Sequence, residues 1–116
     1  MELIWWLFGI QTVLAPTAQY YDSKPAKPTR VAVREEIIKQ ATEAHFPIST
    51  ALTIGECESN LDPFVQNANS TATGVYQFID GTWENYCEGY RTDYKANIAC
   101  FIKLYPQHPS WWECQP

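Results

Sequence analysis

From residue 41 to residue 90 the chain contains no lysine and no arginine, while Glu43, Glu56, Glu58, Asp62, Asp80, Glu84 and Glu88 all fall there. Over the whole 116 residues, 8 basic residues face 13 acidic ones, for a net charge of −5. Phosphate contact needs a surplus of Lys and Arg, so nucleic acid is excluded as a partner. Only 18% of residues are charged, but 46% are hydrophobic and 15% aromatic, which excludes a disordered chain. No two cysteines stand at zinc-finger spacing, and the two histidines, His45 and His108, lie far apart, so a zinc site is disfavoured. No apolar run approaches the ~20 residues of a spanning helix. No internal repeat is visible, and the length is that of one domain.

The N-terminus holds an apolar stretch, LIWWLFGI followed by residues 12–15, of signal-peptide core length. Glu2 stands where a basic residue is usual, and residues 1–18 carry no Lys or Arg. The segment 1–18 is read as an export signal or a short membrane anchor acting through residues 1–15; a buried or amphipathic terminal segment is the alternative. Residues 19–29 are proline-bearing with little periodicity and read as a linker. The folded domain is then 30–116, small enough to need covalent staples. Cys57, Cys87, Cys100 and Cys114 can supply two disulfides, in any of three connectivities, with buried free thiols as the alternative.

Within the domain, Thr29 can cap a helix over 30–45 whose apolar stripe is Val31, Ile37, Ile38, Ala41 and Ala44, and Pro47 ends it. Ser49 or Thr50 can cap a second helix over 51–59, with Leu52 and Ile54 facing the core. Residues 60–73 read as a polar loop, and 74–79 as a strand or an approach to a helix. Asp80 and Asp93 can cap short helices over 80–86 and 94–105, the latter burying Ile98, Phe101, Ile102 and Tyr105. The expected fold is mainly α, a single small disulfide-stapled domain poor in strands.

Glu58 lies in the last turn of the second helix, where a carboxylate opposes the helix dipole instead of complementing it. Its helix is apolar and its neighbours Glu56 and Asp62 are like charges, so its pKa is expected to be raised. A carboxyl still protonated near neutral pH is what glycosidic cleavage requires. An exposed helix-end glutamate with no role is the plainer reading.

Around it, Cys57-Glu58-Ser59, Asp62-Pro63, Asn69-Ser70, Gly74-Val75-Tyr76-Gln77-Phe78, Thr82-Trp83, Asn97-Ile98 and Trp111-Trp112-Glu113-Cys114 occur in an order that resembles the lysozyme-like lytic transglycosylases. The likeness is greatest to small secreted, disulfide-bearing members of the resuscitation-promoting-factor group. It covers about residues 51–114 and implies a lysozyme-like α+β fold. It also implies Glu58 as the single catalytic acid and a substrate-binding set around it: Ser59 holding the sugar or the acid, Gly74 and Gln77 in the loop lining the cleft, Tyr76 beside them, and Asn97 supporting the cleft from the neighbouring helix. Tyr76 stands where many members have Met, and is either a sugar platform or core. Tyr105 is displaced by one residue from the family's tyrosine. The resemblance further implies pairing of Cys57 with Cys114 and of Cys87 with Cys100.

The implied activity is cleavage of the bond between N-acetylmuramic acid and N-acetylglucosamine, with a 1,6-anhydro ring as product and no metal or cofactor. Peptidoglycan glycan strands would be the partner of an exported monomer, in the periplasm, outside the cell or on a virion. Two other readings are a hydrolytic muramidase, with Asp62 or Asp80 as second carboxylate, and a glycan-binding module without catalysis. Asp62 and Asp80 more plainly serve a loop turn and a helix cap. Trp83 is expected in the core, and one of Trp111 and Trp112 as a cleft wall.

Overall fold

The computed structural model describes residues 26–116. The export or anchor segment 1–18 and the linker up to residue 25 lie outside the described residues. Four α-helices follow in order: α1 (Arg30–Glu43), α2 (Ile48–Ser59), α3 (Asp80–Tyr86) and α4 (Tyr94–Leu104), closed by a 3₁₀ turn, Pro109–Trp111. Among the described residues no helix is long and apolar enough to cross a membrane.

The helix starts follow local chemistry. Thr29 accepts the Ala32 N–H on its hydroxyl at 3.0 Å, and Asp93 accepts the Lys95 N–H at 3.0 Å, each satisfying one of the orphan amides of a first turn. Two starts differ from the sequence reading. Helix α2 begins three residues early, at Ile48, because Pro47 takes the cap position and its carbonyl accepts the Ala51 N–H at 3.1 Å. Ser49 and Thr50 are therefore inside the first turn, not caps. Asp80 is the first residue of α3, and Thr71, from the preceding loop, accepts its N–H at 3.0 Å.

Helix α1 packs against both α2 and α4. Its buried line is Val33, Ile37 and Ala41, spaced by four residues on one face. The expected stripe was misplaced at both ends: Val31 is 64% exposed and Ala44 is exposed. Val31 is two residues from Val33, about 200° around the helix, so the two valines cannot share a face.

Phe101 on α4 is the centre of an aromatic core. Tyr76 stacks on it at 3.7 Å between centroids with the rings 5° apart, and Phe46, Trp112 and Tyr105 approach it at 5.7, 5.0 and 5.1 Å. Each such pair adds about 0.5–1.5 kcal/mol beyond its buried area.

The segment 74–79 is neither strand nor helix. Isolated antiparallel bridges join Gln66 to Thr73 and Thr73 to Phe78, so the loop folds back on itself across a tight turn with Gly74 at φ 89° and Gln77 at φ 53°.

Disulfides join Cys57 to Cys114 and Cys87 to Cys100, the pairing the family resemblance implied. They close loops of 57 and 13 residues, which by chain entropy stabilise by about 4 and about 3 kcal/mol. Two disulfides fit a chain that matures in an oxidising, exported environment.

Candidate active site

The site is built where the end of α2 meets the C-terminal segment. Cys57 precedes Glu58 on α2, and its bond to Cys114 lays residues 113–114 beside the Glu58 carboxyl. The Cys114 N–H donates to Glu58 Oε2 at 3.1 Å. Trp112 secures the same segment from the other side: its indole N–H donates to the Tyr76 carbonyl at 2.8 Å, and its ring packs on Phe78 and Phe101.

Glu58 is half-buried and its carboxyl is held above the ordinary glutamate range. Desolvation is the main cause; the Cys114 amide works against it, the Glu113 carboxylate adds repulsion, and the Glu113 amide again opposes. The repelling charge is thus Glu113, not the neighbours Glu56 and Asp62 named from the sequence. Those two are neutralised by cations from outside the lysine- and arginine-free stretch. Arg30 on α1 lies 3.5 Å from Glu56, and Lys27 lies 2.7 Å from Asp62. Burial pushes the Asp62 carboxyl up, but Lys27 and the Phe64 and Val65 amides outweigh it and hold it below the usual range. Among the described residues, no ion pair involves Glu58.

The residues taken as glycan contacts are placed differently. Ser59 is buried, and its hydroxyl bonds to the Val75 carbonyl at 2.7 Å, tying α2 to the loop. Tyr76 is core and no platform: it is 0% exposed, and its hydroxyl donates to the Ala51 carbonyl at 2.6 Å. Asn97, also 0% exposed, accepts the Tyr76 N–H and donates to the Arg91 carbonyl, both at 2.9 Å. It supports the loop from α4 and has no face for a sugar.

Gly74 makes room for this asparagine, not for a glycan: a Cβ there would stand 2.4 Å from Asn97 Nδ2 and 2.8 Å from the Arg91 carbonyl oxygen. Gln77 is partly exposed, and its amide N–H groups donate to the Val65 and Gly74 carbonyls at 3.1 and 2.9 Å. Its side-chain carbonyl is the remaining polar group of the set that can meet a ligand.

Asp62 turns its loop by accepting the Phe64 N–H at 2.8 Å, and Asp80 pairs with Arg91 at 2.8 Å. Both carboxylates are engaged in structure. Trp83 is in the core, as expected. Of the terminal pair, Trp112 is buried, whereas Trp111 is 43% exposed and stacks on His108 at 3.8 Å. Tyr105 packs on Phe46, Phe101 and Trp112 at the core's edge. Beside it a depression of about 520 Å³, lined by Phe46, Pro47, Thr50, Ile102 and Pro106 among others, does not include Glu58. Among the described residues no cluster of His, Cys, Asp or Glu is arranged to hold a metal ion.

The sequence reading missed Glu113 and Cys114 as the partners of Glu58. Cys114 was expected only as a staple, although its pairing with Cys57 is what brings its amide to the carboxyl.

Compared with protein-family models, with curated proteins and with solved structures, the chain shows no match.

Proposed function

We propose that the protein is an exported peptidoglycan lytic transglycosylase in which Glu58 acts first as general acid and then as general base. The observation that carries this reading is the state of Glu58: half-buried, raised in pKa, in no ion pair among the described residues, and with both acidic neighbours paired to cations. A carboxyl in that state holds its proton nearer to neutral pH than an exposed glutamate does, and after donating it remains able to take one back. The ordered motifs around Glu58 add the substrate class.

In the proposed reaction protonated Glu58 gives its proton to the glycosidic oxygen between N-acetylmuramic acid and N-acetylglucosamine, and the C1–O bond breaks. The acetamido group of the muramic residue stabilises the electron-poor C1. The Glu58 carboxylate then takes the proton from the C6 hydroxyl of that residue, whose oxygen closes on C1. At C1 one C–O bond is broken and one is formed, the C6 hydroxyl proton replaces the one given to the leaving sugar, and the carboxyl ends protonated as it began. The Cys114 N–H steadies the charged form between the two steps. Periplasm, cell exterior and virion are each compatible with this activity.

Digestion of purified peptidoglycan followed by mass analysis of the muropeptides tests the reading. Products one water lighter than reducing ends are expected. Reducing ends alone would replace transglycosylation by hydrolysis, wall cleavage undiminished in Glu58→Gln would remove Glu58 from the mechanism, and binding of glycan without any cleavage by the wild type would leave a glycan-binding role.

A further inference from the structure

We infer that the segment Glu113–Cys114, clamped by the Cys57–Cys114 disulfide, is a positioning device for Glu58, so that the candidate acid is assembled in the oxidised chain and dismantled when this one bond is reduced. Three observations carry it. The Cys114 N–H donates to the Glu58 carboxylate at 3.1 Å. The disulfide joins that residue to the immediate neighbour of Glu58 on α2. Trp112 anchors the chain two residues earlier, so the disulfide is what carries the anchorage across residues 113–114.

The two disulfides differ in access. Cys114 and Cys87 are both half-buried, but their partners differ: Cys57 is exposed and Cys100 is 4% exposed. Thiol–disulfide exchange needs an open path to sulfur, so a dithiol reaches Cys57–Cys114 first. The dithiol supplies two electrons and two protons; the S–S bond breaks, two protein thiols form, and the reductant closes its own disulfide. Freed, residues 113–114 no longer lie against the Glu58 carboxyl or present their amides to it.

The charged groups around Glu58 are few. Glu113 faces it from the clamped segment, Glu56 on its own helix is held by Arg30 of α1, and Asp62 just beyond the helix is held by Lys27. Opening the clamp removes burial and the Glu113 repulsion together with the two amide bonds. Burial is the largest of these influences, so the carboxyl falls towards the ordinary glutamate range.

The experiment is a carbon-13 NMR titration of the Glu58 carboxyl in the wild type and in two double variants, Cys57→Ser with Cys114→Ser, and Cys87→Ser with Cys100→Ser. The expected result is a lower Glu58 midpoint in the first variant and an unmoved one in the second. An unmoved midpoint in a folded first variant overturns the inference. If that variant does not fold, Glu113→Gln, at an exposed position, decides alone: a lowered midpoint supports the inference, an unmoved one refutes it. The regulatory consequence rests on the transglycosylase reading, and the titration does not. If Glu58→Gln retains wall cleavage while the midpoint moves as expected, the function falls and the clamp stands.

Discussion

Gly74→Ala separates two roles for this glycine that lead to opposite results. Gly74 has φ 89°, and a Cβ on it would meet Asn97 Nδ2 at 2.4 Å and the Arg91 carbonyl oxygen at 2.8 Å. The left-handed backbone alone costs a non-glycine residue about 1–2 kcal/mol. The clash is with a fully buried amide and with backbone, so relief requires Asn97 to move. Moving it breaks its bonds to the Tyr76 N–H and the Arg91 carbonyl and leaves buried polar groups unpaired, at about 1–3 kcal/mol. The total is about 2–5 kcal/mol, which for a domain of this size lowers Tm by roughly 10–25 °C. Gly81 is the control: a Cβ there meets nothing within 4 Å, so Gly81→Ala in α3 is expected to be neutral or to stabilise by about 0.5–1 kcal/mol. Thermal and denaturant unfolding of both variants read the result. Gly74→Ala within about 1 kcal/mol of wild type, well below that total, would refute the Asn97 argument. If it then failed to cleave cell wall, the glycine would serve ligand access after all.

Glu58→Gln should abolish wall cleavage and gain stability relative to wild type as pH rises. A carboxyl whose pKa is raised on folding costs nothing below its unfolded value of 4.5 and destabilises progressively up to its folded value. Tm measured against pH checks this, and a constant difference between the two proteins contradicts it. For Asp62 the sign is opposite, because its folded pKa is lowered: Lys27→Ala should cost at most about 1 kcal/mol at neutral pH, given two partly exposed partners, and nothing once Asp62 is protonated. Tyr76→Phe should cost about 0.5–1.5 kcal/mol for the lost bond to the Ala51 carbonyl and leave wall cleavage intact, since the ring is buried. A loss of cleavage without a loss of stability would restore Tyr76 as a sugar contact.

Much of the architecture was legible because its signals are local. Thr29 and Asp93 each cap the helix they precede, and Ile98 and Phe101 mark the inner side of α4 as expected, whereas Ile102 and Tyr105 are only partly buried and Leu104 is covered in their place. Helix α1 was harder, since valines stand on both of its faces at the start and composition cannot say which one is covered. The start of α2 was hidden because proline caps with its carbonyl, leaving no side-chain signature.

At the site, the raised pKa of Glu58 was legible from the apolar helix around it, while its choice as candidate acid rested on the family resemblance. Its partners were not, because Glu113 and Cys114 are remote in the chain and ordinary in type. The motif residues Ser59, Gly74, Tyr76 and Asn97 stood out correctly as special positions, but their polar groups are spent within the protein. A pattern of residue types tells that a loop must be held in one shape. It does not tell whether the same groups also touch a ligand.

The Lys27–Asp62 pair fixes more than the charge of one carboxylate. Asp62 follows Glu58 by four residues, so the chain enters the folded domain beside the end of α2 that bears the candidate acid. Arg30, paired with Glu56, fastens the same corner. Any attachment made through the residues before Ala26 would therefore join the domain at the corner that carries Glu58.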